Sequence, residues 1–157
     1  GMISMAIVER TIYVKFGNYN FSSVLIDGQY PNYSRVIPEN QKFNFELEKS
    51  DFMEAIKRVT LLVDQKIRRI YLEISPGMLV ITSQESNIGV AREEVPCRYD
   101  GDTVTIAMDY TRIEEPLKVM DSDRVRFEFT EVMRPVTIKP ASEADYFHVI
   151  MPMQMMG

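Results

Sequence analysis

The sequence predicts an α+β fold built from a duplicated β-α-β-β-β unit, and three observations carry that prediction. Short segments rich in β-branched and aromatic residues are interrupted by two stretches of helical periodicity. The same order of elements occurs twice along the chain. The two runs also align: IYLEIS-PGMLVITS lies over VRFEFT-EVMRPVTIK, setting Ser75 against Thr130, Met78 against Met133 and Thr82 against Thr137. In the helices, FMEAIK lies over IEEPLK. Two such units would each place one helix on one face of a shared antiparallel sheet.

Taken in order, Thr11 to Phe16 and Tyr19 to Ile26 read as strands joined at Gly17-Asn18, a two-residue hairpin turn. They stand outside the repeat and lack a helix of their own. Lys42 to Leu47 alternates apolar and polar residues, as a half-buried strand does. Ser50 is the expected N-cap of a first helix, with Asp51 favourable in its first turn. Phe52, Ile56, Val59 and Val63 recur at helical spacing behind it, which predicts a helix from Asp51 to about Val63.

Ile70 to Ser75, Leu79 to Thr82 and Gly89 to Val95 are three short strands separated by Pro-Gly and Ser/Asn turns. Val104 to Ala107 opens the second run, and Asp109 is the expected cap of a helix striped by Ile113, Leu117 and Met120. Strands near Val125 to Thr130, Pro135 to Lys139 and Tyr146 to Met151 complete it. Pro116 falls inside the second helix, where proline costs about 3 kcal/mol. That helix is therefore expected to be short or distorted.

Composition bounds the function. The chain has 157 residues, 45% hydrophobic and 26% charged, the balance of an ordinary soluble globular protein. A net charge of −5 argues against phosphate binding all over the surface, though not against a local basic face. There is no apolar run long enough for a membrane span and no export signal, and the single Cys97 suits a reducing cytoplasm. Gly1 ahead of Met2 reads as a residue left after removal of a tag.

Catalytic chemistry is not assembled. His148 lies in an apolar strand and reads as a packed or edge residue, and Cys97 has no histidine near it in sequence. Glu93-Glu94 and Glu114-Glu115 are adjacent pairs whose side chains diverge, so they read as solvated faces. No phosphate-cradling glycine motif, metal spacing or nucleophile elbow is present, so neither a metal nor a cofactor is expected. The chain reads as a binding protein. Lys57 and Arg58 on the first helix, with Arg112 and Lys118 on the second, are either solvated charge or one basic surface if the helices lie side by side. The terminal VIMPMQMM is equally a core strand with a tail or a Met-rich surface for several partners.

LIDGQYPNYSRVIPEN, from Leu25 to Asn40, and the terminal YFHVIMPMQM closely resemble the bacterial sliding clamp, the beta subunit of DNA polymerase III. MRP, from Met133 to Pro135, resembles many clamps as well. The resemblance spans essentially the whole chain and implies a DNA-clamp fold. Residues 1–36 would be the last strands of the middle domain and residues 37–157 a complete C-terminal domain.

The resemblance further implies a non-enzymatic, cytoplasmic processivity factor that encircles duplex DNA and tethers the replicative polymerase. Pro31, Arg35 and Val36 would help form a hydrophobic pocket over a floor of Val149 and Met151. Met133, Pro135, Pro152 and Met153 would line an adjoining groove. That pocket would capture Gln-x-x-Leu-Phe-like motifs of polymerase subunits, the clamp loader and repair proteins. Asp109 and Arg112 stand at groove positions where many clamps have Asn and Tyr. Leu61 and Leu62 match a head-to-tail dimer contact, and the helices carrying Lys57, Arg58 and Lys118 match those facing DNA. This chain by itself is expected to bind such motifs weakly and not to close a ring. The competing reading is a stand-alone peptide-binding domain with no ring or DNA role.

Overall fold

The computed structural model describes residues 1–142 and 145–155. The chain divides into two compact units, Gly1–Tyr33 and Ser34–Gly157.

The first unit is a three-stranded antiparallel meander of β1 (Ile3–Val8), β2 (Thr11–Phe16) and β3 (Tyr19–Val24). The β2–β3 hairpin turns at Gly17, whose φ of 55° is the left-handed conformation glycine adopts without strain. The strand β1 was not foreseen, and β3 ends at Val24 and not at Ile26. All residues of β1 and β3 are exposed, so Met5, Ile7, Tyr19 and Phe21 present apolar surface that nothing in this unit covers.

The second unit contains β4 (Phe43–Glu48), α1 (Lys49–Val59), β5 (Arg69–Ser75), β6 (Met78–Ser83) and β7 (Arg92–Pro96). The series then repeats as β8 (Val104–Asp109), α2 (Tyr110–Val119), β9 (Arg124–Phe129), β10 (Val136–Pro140) and β11 (His148–Ile150). The α+β duplication holds, but the strands do not form one shared sheet. They form two four-stranded antiparallel sheets, ordered β11-β10-β9-β4 and β7-β6-β5-β8. Each repeat lends its first strand to the other's sheet: β4 pairs with β9, and β8 with β5.

Single bridges join the sheets at both edges. Arg98, just after β7, exchanges backbone hydrogen bonds with Glu46 of β4 at 2.7 and 3.1 Å. In the corresponding place Met153, just after β11, donates its N–H to the Ala107 carbonyl of β8 at 2.8 Å. One buried cluster fills the interior, drawing on both sheets and both helices. Its centre is aromatic: Phe45 of the first repeat stacks on Phe127 of the second at 4.7 Å, and Phe52 of α1 meets Phe127 edge-on at 5.5 Å.

The two helices start differently. At α2 the expected cap is present: the Asp109 carboxylate accepts from the Thr111 N–H at 2.9 Å. At α1 the N-cap is Glu48, not Ser50, and no side chain caps it. Strand β4 runs straight into the helix, and the Lys49 N–H donates instead to the Asp123 carbonyl at 2.8 Å. The α-helical part of α1 ends at Val59 and a 3-10 turn covers Thr60–Leu62. Pro116 sits within α2, leaving the Arg112 carbonyl without its helical donor. The helix tolerates it by being only ten residues long and by burying the proline in the core.

The sequence overlay also slips. Glu73 pairs with Val80, whereas its counterpart Glu128 pairs with Thr137, so the β9–β10 hairpin is two residues longer than β5–β6. Thr137 therefore corresponds to Val80, not Thr82, and Met133 has no counterpart at Met78. The extra length belongs to the loop that carries Met133.

Candidate functional site

Three pieces of chain meet at one end of the second repeat. The ladder Val136↔Ile150 places Pro135 opposite Met151 across β10 and β11, with Met133 two residues earlier on the same hairpin. Beyond β11, the Met153 N–H bond to Ala107 lays Pro152 and Met153 against the end of β8. Two residues on, Asp109 starts α2, which packs beside β11 and carries Arg112. Backbone pairing thus brings Asp109, Pro135, Val149, Met151, Pro152 and Met153 together around one tail, with Met133 on the flanking hairpin and Arg112 on the flanking helix, although the set spans 45 positions of sequence.

The surface they make is largely apolar. Met133 is 45% and Met151 58% exposed, while Val149, Pro135, Pro152 and Met153 are half-buried. Ile150, between Val149 and Met151, points into the core. The Asp109 carboxylate is engaged by Thr111, accepting from its N–H and its hydroxyl at 2.7 Å. Arg112 is exposed, with Glu115 at 3.6 Å.

Arg35 closes a one-turn 3-10 helix, Tyr33–Arg35, and Val36 follows it; both are exposed. Ile37 and Pro38 line a cavity of about 270 Å3 with Gln41, Glu128, Thr137, Lys139, Tyr146 and Phe147. Thr137 is the ladder partner of Val149, so the chain after Val36 runs over the sheet face beside the expected pocket floor. Pro31 lies in the first unit and is exposed.

Sequence reading missed Gln41. Its amide donates to the Glu128 carbonyl at 2.6 Å and to the Pro135 carbonyl at 3.2 Å, holding the base of the β9–β10 hairpin. A glutamine next to a strand start gives no local signal of that role.

The helices do lie side by side, and Lys57 and Lys118 line a groove of about 420 Å3 with Met53, Glu54 and Glu114. Most of the expected basic surface is internally paired. Arg58 sits 3.0 Å from Glu93 and 3.5 Å from Glu54; Glu93 raises the pKa of Arg58, and Arg58 holds the Glu93 carboxyl below its ordinary range. Lys118 is 2.9 Å from Glu114, whose hydrogen bond and charge raise its pKa. Lys57 is the member of this set with no ion pair among the described residues. Leu61, on the turn after α1, is 79% exposed, and Leu62 is half-buried.

The residues that could have suggested catalysis are separated or engaged. Cys97 is buried, and burial pushes its thiol pKa up to about 11. His148 is half-buried opposite Ile138. Glu94 pairs with Arg92. No cluster of three metal-ligating side chains occurs among the described residues. No helix among them is long and apolar enough to cross a membrane.

This architecture, two sheets that exchange their leading strands beneath a pair of helices, is that of the sliding clamps. A Pseudomonas aeruginosa DNA polymerase sliding clamp solved with a ligand matches with a TM-score of 0.87 at 27% identity, over 98% of this chain and 42% of that one. Another structure of the clamp from that organism, bound to griselimycin, matches with a TM-score of 0.85 at 27% identity, again over 98% and 42%. Residues 34–154 match the family model of the DNA polymerase III beta subunit, C-terminal domain, and the chain belongs to that family. Among curated relatives, the beta sliding clamp of Treponema pallidum is 46% identical over 98% of this chain and 43% of its own length. That of Pseudomonas putida is 28% identical over 99% and 42%. The chain thus spans less than half the length of these relatives.

Proposed function

We propose that this chain is the C-terminal part of a DNA sliding clamp, and that the apolar surface around its tail captures short linear motifs of replication and repair proteins. In this reading residues 1–36 are the last strands of the middle domain and residues 37–157 the C-terminal domain. The observation that carries the reading is the tail of a chain in this family, lying between the longer β9–β10 hairpin and the start of α2. Val149, Met151 and Val36 would seat a leucine anchor, with Arg35 at its edge. Met133, Pro135, Pro152 and Met153 would seat a following aromatic, and Asp109 and Arg112 would tune polar preference. Each buried anchor contributes about 1.5–3 kcal/mol, and methionine lets the groove repack around different partners.

Nothing in this role requires bond-making. The complete protomer would act in the cytoplasm as a processivity factor, holding duplex DNA through phosphate contacts that carry no sequence information. Lys57 is the most available of the proposed DNA-facing cations, with Arg58 and Lys118 acting after exchange of their carboxylate partners. Leu61 and Leu62 would meet the partner protomer in a head-to-tail ring of complete chains.

A methyl NMR titration with a synthetic Gln-Ala-Ala-Leu-Phe peptide tests the groove, using the eleven methionines as reporters. Saturable shifts at Met133, Met151 and Met153, weakened by Val36→Ala, are the expected result. No saturable shift at about 1 mM peptide, where a 4 kcal/mol interaction would be half-saturated, removes peptide capture by this chain and leaves its family untouched. A second reading, a stand-alone peptide-binding domain, draws on the compactness of the 34–157 unit and on the paired charges of its helices. Joining the chain to the missing domains separates the two: a dimer that protects duplex DNA supports the clamp, and a monomer without DNA affinity supports the alternative.

A further inference from the structure

Among the described residues of the second unit, the sulfur atoms run from closed to open, with Met53, Met78 and Met153 half-buried between the extremes. Met108 and Met120 are 0% and 4% exposed, and the one thiol, Cys97, is closed in the core with its pKa raised to about 11. Thiolate is the form of cysteine that attacks peroxide, so this buried, protonated thiol competes poorly for oxidant. Around the tail, by contrast, Met133, Met151 and Met155 are 45%, 58% and 47% exposed. Peroxide approaching this unit therefore meets the thioethers of the apolar surface first.

We propose that Met133 and Met151 form an oxidation-sensitive modification site that switches partner capture off in the presence of a peroxide. The inference rests on the peptide-binding reading above and adds a control to it. In the step, the thioether sulfur attacks one oxygen of the peroxide and the O–O bond breaks. Sulfur loses two electrons to become a sulfoxide, and the other oxygen leaves as water or an alcohol after taking up a proton. The product is polar where an apolar anchor must seat, so desolvating it opposes binding. The backbone is held independently of those side chains, by the Val136↔Ile150 pairing and by the Met153 N–H bond to Ala107. The modification changes the surface and leaves the fold in place.

The test treats the chain with hydrogen peroxide, maps sulfoxide by mass spectrometry over time, and measures affinity for the Gln-Ala-Ala-Leu-Phe peptide before and after. Met133 and Met151 are expected to oxidise well ahead of Met108 and Met120. Affinity should fall by about tenfold or more, as expected for burying an unpaired polar group, while the unfolding midpoint stays unchanged. Methionine sulfoxide reductase with a thiol reductant should restore binding. The double variant Met133→Leu/Met151→Leu, whatever its own affinity, should show the same affinity before and after peroxide. Equal oxidation of the buried and exposed methionines, or full affinity after Met133 and Met151 are oxidised, overturns the switch alone. An untreated chain that does not bind the peptide overturns the capture reading and the switch with it.

Discussion

The two repeats of the second unit share one frame and end in opposite ways. Ladder pairing makes Glu94 the counterpart of Val149, because Val80 and Thr137 are equivalent and pair with them in turn. Counting on, Pro96, Cys97 and Arg98 correspond to Met151, Pro152 and Met153, and the bridges at Arg98 and Met153 are equivalent in the same register. In the first repeat this end is shut: the hairpin is the tight Pro76-Gly77 turn, Cys97 is in the core, and Tyr99 lies 6.4 Å from Phe129 and donates to the Asp102 carbonyl. In the second repeat the hairpin is two residues longer, and Met151 and Met155 are exposed. Duplication built the scaffold, and divergence in one hairpin and one tail opened a surface on a single copy.

The largest effect should come from breaking what the repeats share. Phe127→Ala removes the ring on which Phe45 and Phe52 both pack and should cost about 3–5 kcal/mol. Because each sheet contains a strand from each repeat, chemical unfolding of Ser34–Gly157 should remain a single transition at a lower midpoint. Separate transitions for the two repeats would contradict their interlocking.

Next, Val149→Glu gives the open end the residue of its closed counterpart. It places a carboxylate on the surface meant for an apolar anchor, so peptide affinity should fall at least about tenfold, with stability little changed. Undiminished binding would take Val149 out of the pocket floor.

The helix starts give a smaller contrast. Asp109→Ala removes the cap of α2 and should cost about 1 kcal/mol, whereas Ser50→Ala in α1 should be within about 0.5 kcal/mol of neutral. Comparing their urea midpoints checks this, and equal losses would restore Ser50 as a cap.

The smallest effect is electrostatic. Arg58 depresses the pKa of Glu93, so the stabilisation from that pair is complete above the ordinary carboxylate pKa. It is lost as pH falls through the lower folded value. Both side chains are partly solvated, so Glu93→Gln should shift the midpoint slightly at pH 7 and not at all well below pH 4. A shift that persists in acid would assign the effect to packing.

Much of the fold was legible because its signals are local. Helical spacing of Phe52, Ile56 and Val59 marked α1, Asp109 marked the start of α2, and Gly17-Asn18 marked a hairpin. Ser50 was misread because a strand passing directly into a helix finds its hydrogen-bond acceptor at Asp123, far along the chain. The overlay of Met78 on Met133 failed because similar residue types aligned across an insertion. The residues of the expected groove were named from the resemblance. That most of them share one surface depends on the β10–β11 pairing and the Met153 bridge, which no local pattern encodes.

By itself, the sequence determined the order of elements from Thr11 onward, the duplication and the apolar tail, since periodicity, turn chemistry and composition act over a few neighbouring residues. Only the tertiary structure decided that β4 and β8 change places between sheets, that Gln41 holds the Pro135 hairpin, and that Arg58 and Lys118 are paired while Lys57 is open to solvent. These are contacts between residues remote in the chain. Their free energy depends on a register and a geometry that exist only once the strands have paired.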